Sequence, residues 1–240
     1  MKKIFALMAM SAMLFVACEE NPDDPNDPNN PDNQEYVAPI TIDGDFADWA
    51  TLGDKVQVVK CAATASKTDL KTMKVYADKY YVFIYLEYDL SAYETLTTTN
   101  LDVHINGDND TTTGGWKGQW DQGETPCIDL MCQGEVFDET GAPVDYNPGM
   151  YQYGGAANTS EWAWNDVTVA DFITGKGTKK AIEIQMTREL YPLGKLAKEF
   201  TMGVEILVNG WDATGALPNT EATETNAAGE APLMLVNYNK

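Results

Sequence analysis

From about residue 37 onward, hydrophobic positions recur with period two far more often than with period 3.6, which predicts strands. Met73-Lys74-Val75-Tyr76, a turn at Asp78-Lys79 and the run Tyr81 to Tyr88 read as a β-hairpin. Leu101, Val103 and Ile105 alternate with Asp102, His104 and Asn106, and Ile128, Leu130 and Cys132 alternate with Asp129 and Met131. Later, Ile182, Ile184 and Met186 alternate with Glu183, Gln185 and Thr187, and Val204, Ile206 and Val208 with Glu205, Leu207 and Asn209. Leu233, Leu235 and Asn237 share one face of a closing strand. Clusters of Gly, Pro, Asn and Asp separate these runs, so the expected fold is all-β, an antiparallel β-sandwich filling residues 37–240 as one domain. The single helical expectation is a short turn at Arg188 to Leu193, stopped by Pro192 and Gly194. Segments 106–125 and 138–165 read as long loops rich in Gly, Trp and Tyr, the kind of segment on which binding residues tend to sit.

The first 36 residues follow a different pattern. Met1-Lys2-Lys3 precedes an apolar run from Ile4 to Ala17, too short for a bilayer span of about 20 residues but suited to the apolar region of a secretory signal. Its end, Leu14-Phe15-Val16-Ala17-Cys18, resembles a lipobox, although Phe15 is a loose fit at the first position. The resemblance implies a signal peptide over 1–17, cleavage before Cys18 and acylation of that Cys. Stable attachment to a lipid bilayer requires more than one acyl chain. Residues 19–35 carry seven acids and no Lys or Arg, with Pro22, Pro25, Pro28 and Pro31 at intervals of three. Such a stretch cannot bury enough apolar surface to fold, so 18–36 reads as a disordered, extended tether. An acidic patch directly after the Cys resembles the surface-export signal of Bacteroidetes lipoproteins, which implies the outer face of the outer membrane.

Charge narrows the partners. Across 240 residues there are 16 Lys+Arg against 37 Asp+Glu, a formal net charge of −21. Nucleic acid is excluded, because its phosphates require a basic footprint. Sulfated or uronic glycans would be repelled unless a cation bridges them, so a carbohydrate partner is expected to be neutral. Catalytic signatures are missing: there is no Gly-x-Ser-x-Gly, no phosphate-binding Gly-rich loop ending in Gly-Lys-Ser/Thr, and His104 is the only histidine, which leaves no histidine-rich zinc motif. A pair of carboxylates for glycoside hydrolysis stays formally open, but sequence spacing cannot establish one. His104, on the polar side of its strand, reads as a surface or half-buried side chain rather than a ligand. Cys61, Cys127 and Cys132 are three, hence odd, and the five-residue offset of the last two points them to opposite faces of one strand; small buried hydrophobes are expected.

Two constellations carry candidate chemistry. Asn106, Asp108 and Asp110 place alternating oxygen ligands along one short loop, as Ca²⁺ coordination requires, with Asp121, Glu124 and Asp129 as sources of the remaining oxygens. The competing reading is a polar turn whose Asn and Asp side chains cap backbone amides. The second constellation is aromatic. Sugar rings stack their C–H faces on indole while their hydroxyls seek polar side chains. Trp116 and Trp120 lie in Gly-Gly-Trp-Lys-Gly-Gln-Trp-Asp, and Trp162 and Trp164 in Ser-Glu-Trp-Ala-Trp-Asn, loops with little apolar company. Trp211 follows an Asn209-Gly210 turn and reads equally as core or binding; Tyr151, with Tyr146 and Tyr153, would line the same end, and Trp49 reads as core.

Pro39-Ile40-Thr41-Ile42-Asp43-Gly44-Asp45-Phe46-Ala47-Asp48-Trp49 resembles the opening of the carbohydrate-binding module family 9-like β-sandwiches, which begin with a strand, an Asp-Gly turn and an Asp-Trp pair. The hairpin Lys74 to Leu86, the Asp-rich stretch Leu101 to Gly115, and Ile182 to Arg188 with Trp211 resemble later pieces in the same order. The resemblance spans about 37–237 and implies a sandwich, structural calcium and, in some members, sugar held between aromatic side chains. The resulting expectation is a non-catalytic surface lipoprotein binding neutral glycan at Trp116, Trp120, Trp162, Trp164, Trp211 and Tyr151. The alternative is a calcium-stabilised structural or interaction module, an accessory of an outer-membrane uptake complex.

Overall fold

The computed structural model describes residues 36–116, 118–120 and 127–238. Cys18, the signal and the tether lie outside these residues, as do Asp121 and Glu124 of the expected calcium set. From Pro39 the described residues form one compact unit. Its strands are β1 (Gln57–Lys60), β2 (Leu70–Ala77), β3 (Tyr81–Tyr88), β4 (Thr99–Asn106), β5 (Leu130–Phe137), β6 (Gly149–Tyr153), β7 (Trp164–Asp166), β8 (Ile173–Gly177), β9 (Ala181–Thr187), β10 (Phe200–Val208), β11 (Gly215–Leu217) and β12 (Met234–Val236).

They form two antiparallel sheets, one ordered β1-β2-β3-β9-β8 and the other β11-β10-β4-β5-β6-β7, with β12 also paired to β10. One face of each sheet meets the other in a shared core: Met73, Val75, Ile84 and Ile184 from the first pack with Leu101, Val103, Leu130, Val204 and Ile206 from the second. The architecture is an all-β sandwich, and the period-two runs at 73–76, 81–88, 101–105, 182–186 and 204–208 place their apolar sets on that core. The hairpin is made as its sequence predicts, β2 pairing with β3 around a turn in which Asp78 Oδ1 accepts from the amides of Tyr80 and Tyr81.

Several local expectations fail for identifiable reasons. The opening motif is not a strand: Phe46–Thr51 is a 3-10 helix capped by Asp45, whose side chain accepts from the Ala47 amide. This segment lies on the outer face of the first sheet, where Glu183 Oε1 accepts from the amides of Asp43 and Gly44 at 2.9 and 2.7 Å. Phe46 and Trp49 pack there against Tyr85. Trp49 is buried, as its sequence setting suggested, but against this outer face and not between the sheets. The closing strand is offset by one residue. Met234 and Val236 are buried while Leu235 is exposed, because pairing to Met202 and Phe200 sets the register, and a slip of one residue exchanges the faces. The turn at Arg188–Leu190 is a 3-10 helix. Of the two long loops, the second contains β6 and β7. All three described cysteines are unbridged, Cys127 and Cys132 buried and Cys61 half-buried.

β4 is the central strand of the second sheet and is buried along its whole length. Its residue His104, expected at the surface or half-buried, is covered by Trp120 of the segment after Asn106. Trp120, 1% exposed, lies over β10 at Gly203, where a Cβ would sit 2.4 Å from the indole. Only a glycine lets the ring approach the strand this closely.

Candidate functional site

The outer face of the second sheet carries an unusual polar floor. Register places Glu205 opposite Asp102 and Gly203 opposite His104, while Gln133 and Met131 of β5 pair with Asp102 and His104 from the other side. Residues opposite one another in an antiparallel sheet point to the same face, so Asp102, His104, Glu205 and Gln133 converge. Asp102, His104 and Glu205 are all buried, with one ligand-type atom from each within 4.8 Å of the others. Gln133 Nε2 donates to Asp102 Oδ2 at 2.9 Å.

The floor is polar beyond what its own hydrogen bonds satisfy. His104 Nε2 lies 3.3 Å from Glu205 Oε2, within ion-pair range but not aligned as a hydrogen bond. Neither ring nitrogen of His104, nor Asp102 Oδ1, has a hydrogen-bond partner among the described residues. Burial pushes the Asp102 carboxyl up to about 6, against the opposing pull of His104 and of the Gln133 hydrogen bond; the Glu205 charge adds to the rise. The Trp120 ring covers the imidazole, with centroids 5.1 Å apart.

Above this floor is an open cavity of about 540 Å³. Its aromatic lining is Trp116, Trp162 and Trp211, with Lys67, Gln119 and Asp212 as further polar groups. Trp162 is 65% and Trp211 74% exposed. They come from different connections. Trp211 lies between β10 and β11, just past Val208, which pairs with Thr99 at the start of β4. Trp162 lies between β6 and β7, past Gln152, which is in line with Leu130 and with Ile105 near the end of β4. The two tryptophans therefore arise beyond opposite ends of β4, with Asp102 and His104 between them.

The second aromatic wall is braced. Trp116 takes a positive φ of 65°, and its amide donates to Thr159 O at 2.7 Å; Asn158 N donates to Gly114 O at 2.9 Å. These bonds tie the two aromatic loops together. Trp162 meets Trp116 edge-to-face at 4.9 Å, and Trp164 meets Trp116, Trp162 and Tyr153 at 6.4, 6.2 and 5.4 Å. Such edge-to-face contacts fix ring orientation.

The expected aromatic residues thus divide. Trp116, Trp162 and Trp211 line the cavity; Trp164 stands behind the first two as a support. Trp120 presents no open face for stacking, because its ring is spent covering His104 and Gly203. Tyr151 is half-buried on β6, beside Met131 in register but not in the cavity lining. Tyr146 and Tyr153 are buried, the hydroxyl of Tyr146 hydrogen-bonded to Cys132 O at 2.9 Å.

The Asp-rich loop is arranged as a capped turn. Asp108 Oδ1 accepts from Asp110 N and Asp110 Oδ1 from Thr112 N, both at 2.8 Å. Asn106 is buried and donates to Cys127 Sγ; Asp129 Oδ2 accepts from Gly107 N at 2.9 Å. Among the described residues, Asp108, Asp110 and Asp129 do not converge as a ligand group, and the one such group is Asp102, His104 and Glu205. Sequence reasoning missed this floor. His104, expected at the surface or half-buried, is 1% exposed and central to it. The usable signal was present: Asp102 and His104 share one face of β4, and Glu205 the polar face of a neighbouring run.

No protein-family model matches the chain, and no curated protein or solved structure is significantly similar to it.

Proposed function

We propose that this chain is a non-catalytic carbohydrate-binding protein that takes neutral glycan in the cavity over β4 and β10. The observation that carries the reading is the pairing of two well-exposed tryptophans, Trp162 and Trp211, with a buried polar floor in one cavity. A volume of about 540 Å³ lies within the usual range for small-ligand sites. Indole faces would stack on sugar C–H surfaces, and Asp102, Glu205, Gln133 and Gln119 would receive or donate hydrogen bonds to hydroxyls. The acidic surface favours neutral over anionic sugars. The lipobox-like Leu14 to Cys18 and the acidic tether support attachment to the outer membrane, facing outward, as an accessory to glycan capture or uptake.

A glycan array probed with the purified protein tests this. Neutral oligosaccharides are expected to be retained, sulfated and uronic ones not, and Trp162→Ala or Trp211→Ala should abolish retention. Failure to bind any neutral glycan would overturn the reading in favour of a structural or interaction module.

A further inference from the structure

The polar floor has the composition of a metal site. From the geometry we infer that Asp102, His104 and Glu205 together bind a divalent transition-metal ion such as Zn²⁺, with the open coordination positions facing the tryptophan-lined cavity. This goes beyond carbohydrate binding and does not depend on it.

Three features of the structure support the assignment. The first is spacing. For bonds of about 2.1 Å to nitrogen and oxygen, the edge between two ligands of a tetrahedral ion is about 3.4 Å. His104 Nε2 and Glu205 Oε2 are 3.3 Å apart, and one ligand-type atom from each of Asp102, His104 and Glu205 lies within 4.8 Å of the other two.

The second feature is unsatisfied polarity. Asp102 Oδ1 and both nitrogens of His104 are buried with no hydrogen-bond partner among the described residues. Buried polar atoms left this way each carry a substantial desolvation cost, so a group that satisfies several at once is strongly favoured. Two ionised carboxylates carry two negative charges, which a divalent cation neutralises; without it they repel one another in a buried place.

The third feature is the support around the ligands. Gln133 holds Asp102 Oδ2, leaving Oδ1 free, and the Trp120 ring holds the imidazole plane. Ligand side chains in metal sites are characteristically oriented by such neighbours. An imidazole with two carboxylates favours Zn²⁺, Mn²⁺ or Co²⁺ over Ca²⁺, which prefers six to eight oxygens. Three protein ligands leave at least one position open, and the cavity lies above it.

His104 is the only histidine in the chain, so it can be read without assignment. The experiment is a titration of the ¹⁵N-labelled, purified protein carrying no polyhistidine tag with Zn²⁺, in buffer at physiological salt with excess Mg²⁺. It follows the imidazole nitrogens by long-range ¹H–¹⁵N correlation and measures binding by calorimetry. Saturable binding of one ion per chain with a shift of one ring nitrogen is expected. Asp102→Asn and Glu205→Gln, each checked for folding by circular dichroism, should weaken binding by more than about tenfold. Cys61→Ser should not, which separates the site from thiol capture. An imidazole whose two nitrogens stay unperturbed at saturating Zn²⁺ in the folded wild-type protein would overturn the proposal. So would undiminished affinity in both folded carboxylate variants, and neither result bears on whether the cavity takes sugar.

Discussion

Replacing Gly203 by alanine tests how the floor of the cavity is closed. The glycine is not in the left-handed region, so the backbone accepts alanine, and the loss of unfolded-state freedom alone would stabilise the chain by about 0.4–1 kcal/mol. Against this, the new Cβ would lie 2.4 Å from Trp120 Cε2 and Cζ2 and 3.0 Å from Leu233 Cδ2. The indole must back away by about an ångström to reach ordinary carbon contact near 3.5 Å. Overpacking of this kind costs about 1–3 kcal/mol, so the net loss lies between about 0 and 2.6 kcal/mol and centres on about 1.3 kcal/mol. For a chain of this size that is a fall in Tm of several degrees, at about 2–4 °C per kcal/mol. Urea unfolding followed by far-UV circular dichroism gives the stability, and near-UV dichroism reports displacement of the buried indole.

The same residue supplies its own control. Trp120→Ala removes a buried indole and is expected to cost about 3–5 kcal/mol. In that background most of the penalty of Gly203→Ala should disappear, since the indole atoms are gone and only the flexible end of Leu233, at 3.0 Å, remains to shift. Gly210→Ala, with nothing within 4 Å of its added Cβ, should be neutral or slightly stabilising in either background. The reasoning is refuted if Gly203→Ala is as stable as the wild type with unchanged near-UV dichroism, or if its penalty persists without Trp120.

Three further outcomes are expected. Burial pushes the Asp129 carboxyl up to about 6, so between pH 4 and 6 the folded chain holds a proton that the unfolded chain has released. Stability from this group is therefore present below pH 4 and lost as pH rises to 6; in this half-buried setting the amount is about 1–2 kcal/mol, and Asp129→Asn should flatten that slope in denaturation curves at stepped pH. Glu183→Ala removes the acceptor of two backbone amides and should cost about 2–3 kcal/mol, with hydrogen exchange at Asp43 and Gly44 accelerated; unchanged exchange there would show that the carboxylate does not hold this segment. Trp211→Ala removes a side chain that is largely in solvent, so stability should stay within about 0.5 kcal/mol while any glycan retention falls, and a large drop in Tm would place the ring in a structural role.

The sandwich was legible because five runs of the chain alternate cleanly, and alternation on a sheet with one buried face is hard to satisfy any other way. Where alternation weakens, the reading weakens with it. β6 (GMYQY) falls in a segment that reads as loop, β8 (ITGKG) carries two glycines in place of an alternating apolar set, and the consecutive apolar residues 233–236 have no period, so pairing with β10 decides which of them face inward. The strand expected at the opening motif came from its family resemblance, and the Asp-Gly turn there is held instead by hydrogen bonds to Glu183, distant in sequence by 139 and 140 residues. The polar side of β4 was correctly seen as one face. Its burial depends on a tryptophan from the following segment meeting a glycine on a strand about 80 residues later, and no local pattern announces such a contact. For the same reason Trp120 and Trp162, alike in their polar sequence surroundings, end in opposite environments.

In the proposed function, the cavity bounded by Trp162 and Trp211 binds neutral carbohydrate. Affinity electrophoresis of the wild type, Trp162→Ala, Trp211→Ala and Tyr151→Ala through native gels containing a panel of neutral polysaccharides tests it most directly. Retardation of the wild type and of Tyr151→Ala by at least one polysaccharide is expected, with both tryptophan variants running as in a plain gel. Unretarded wild type throughout, or tryptophan variants retarded as strongly as the wild type, would contradict it.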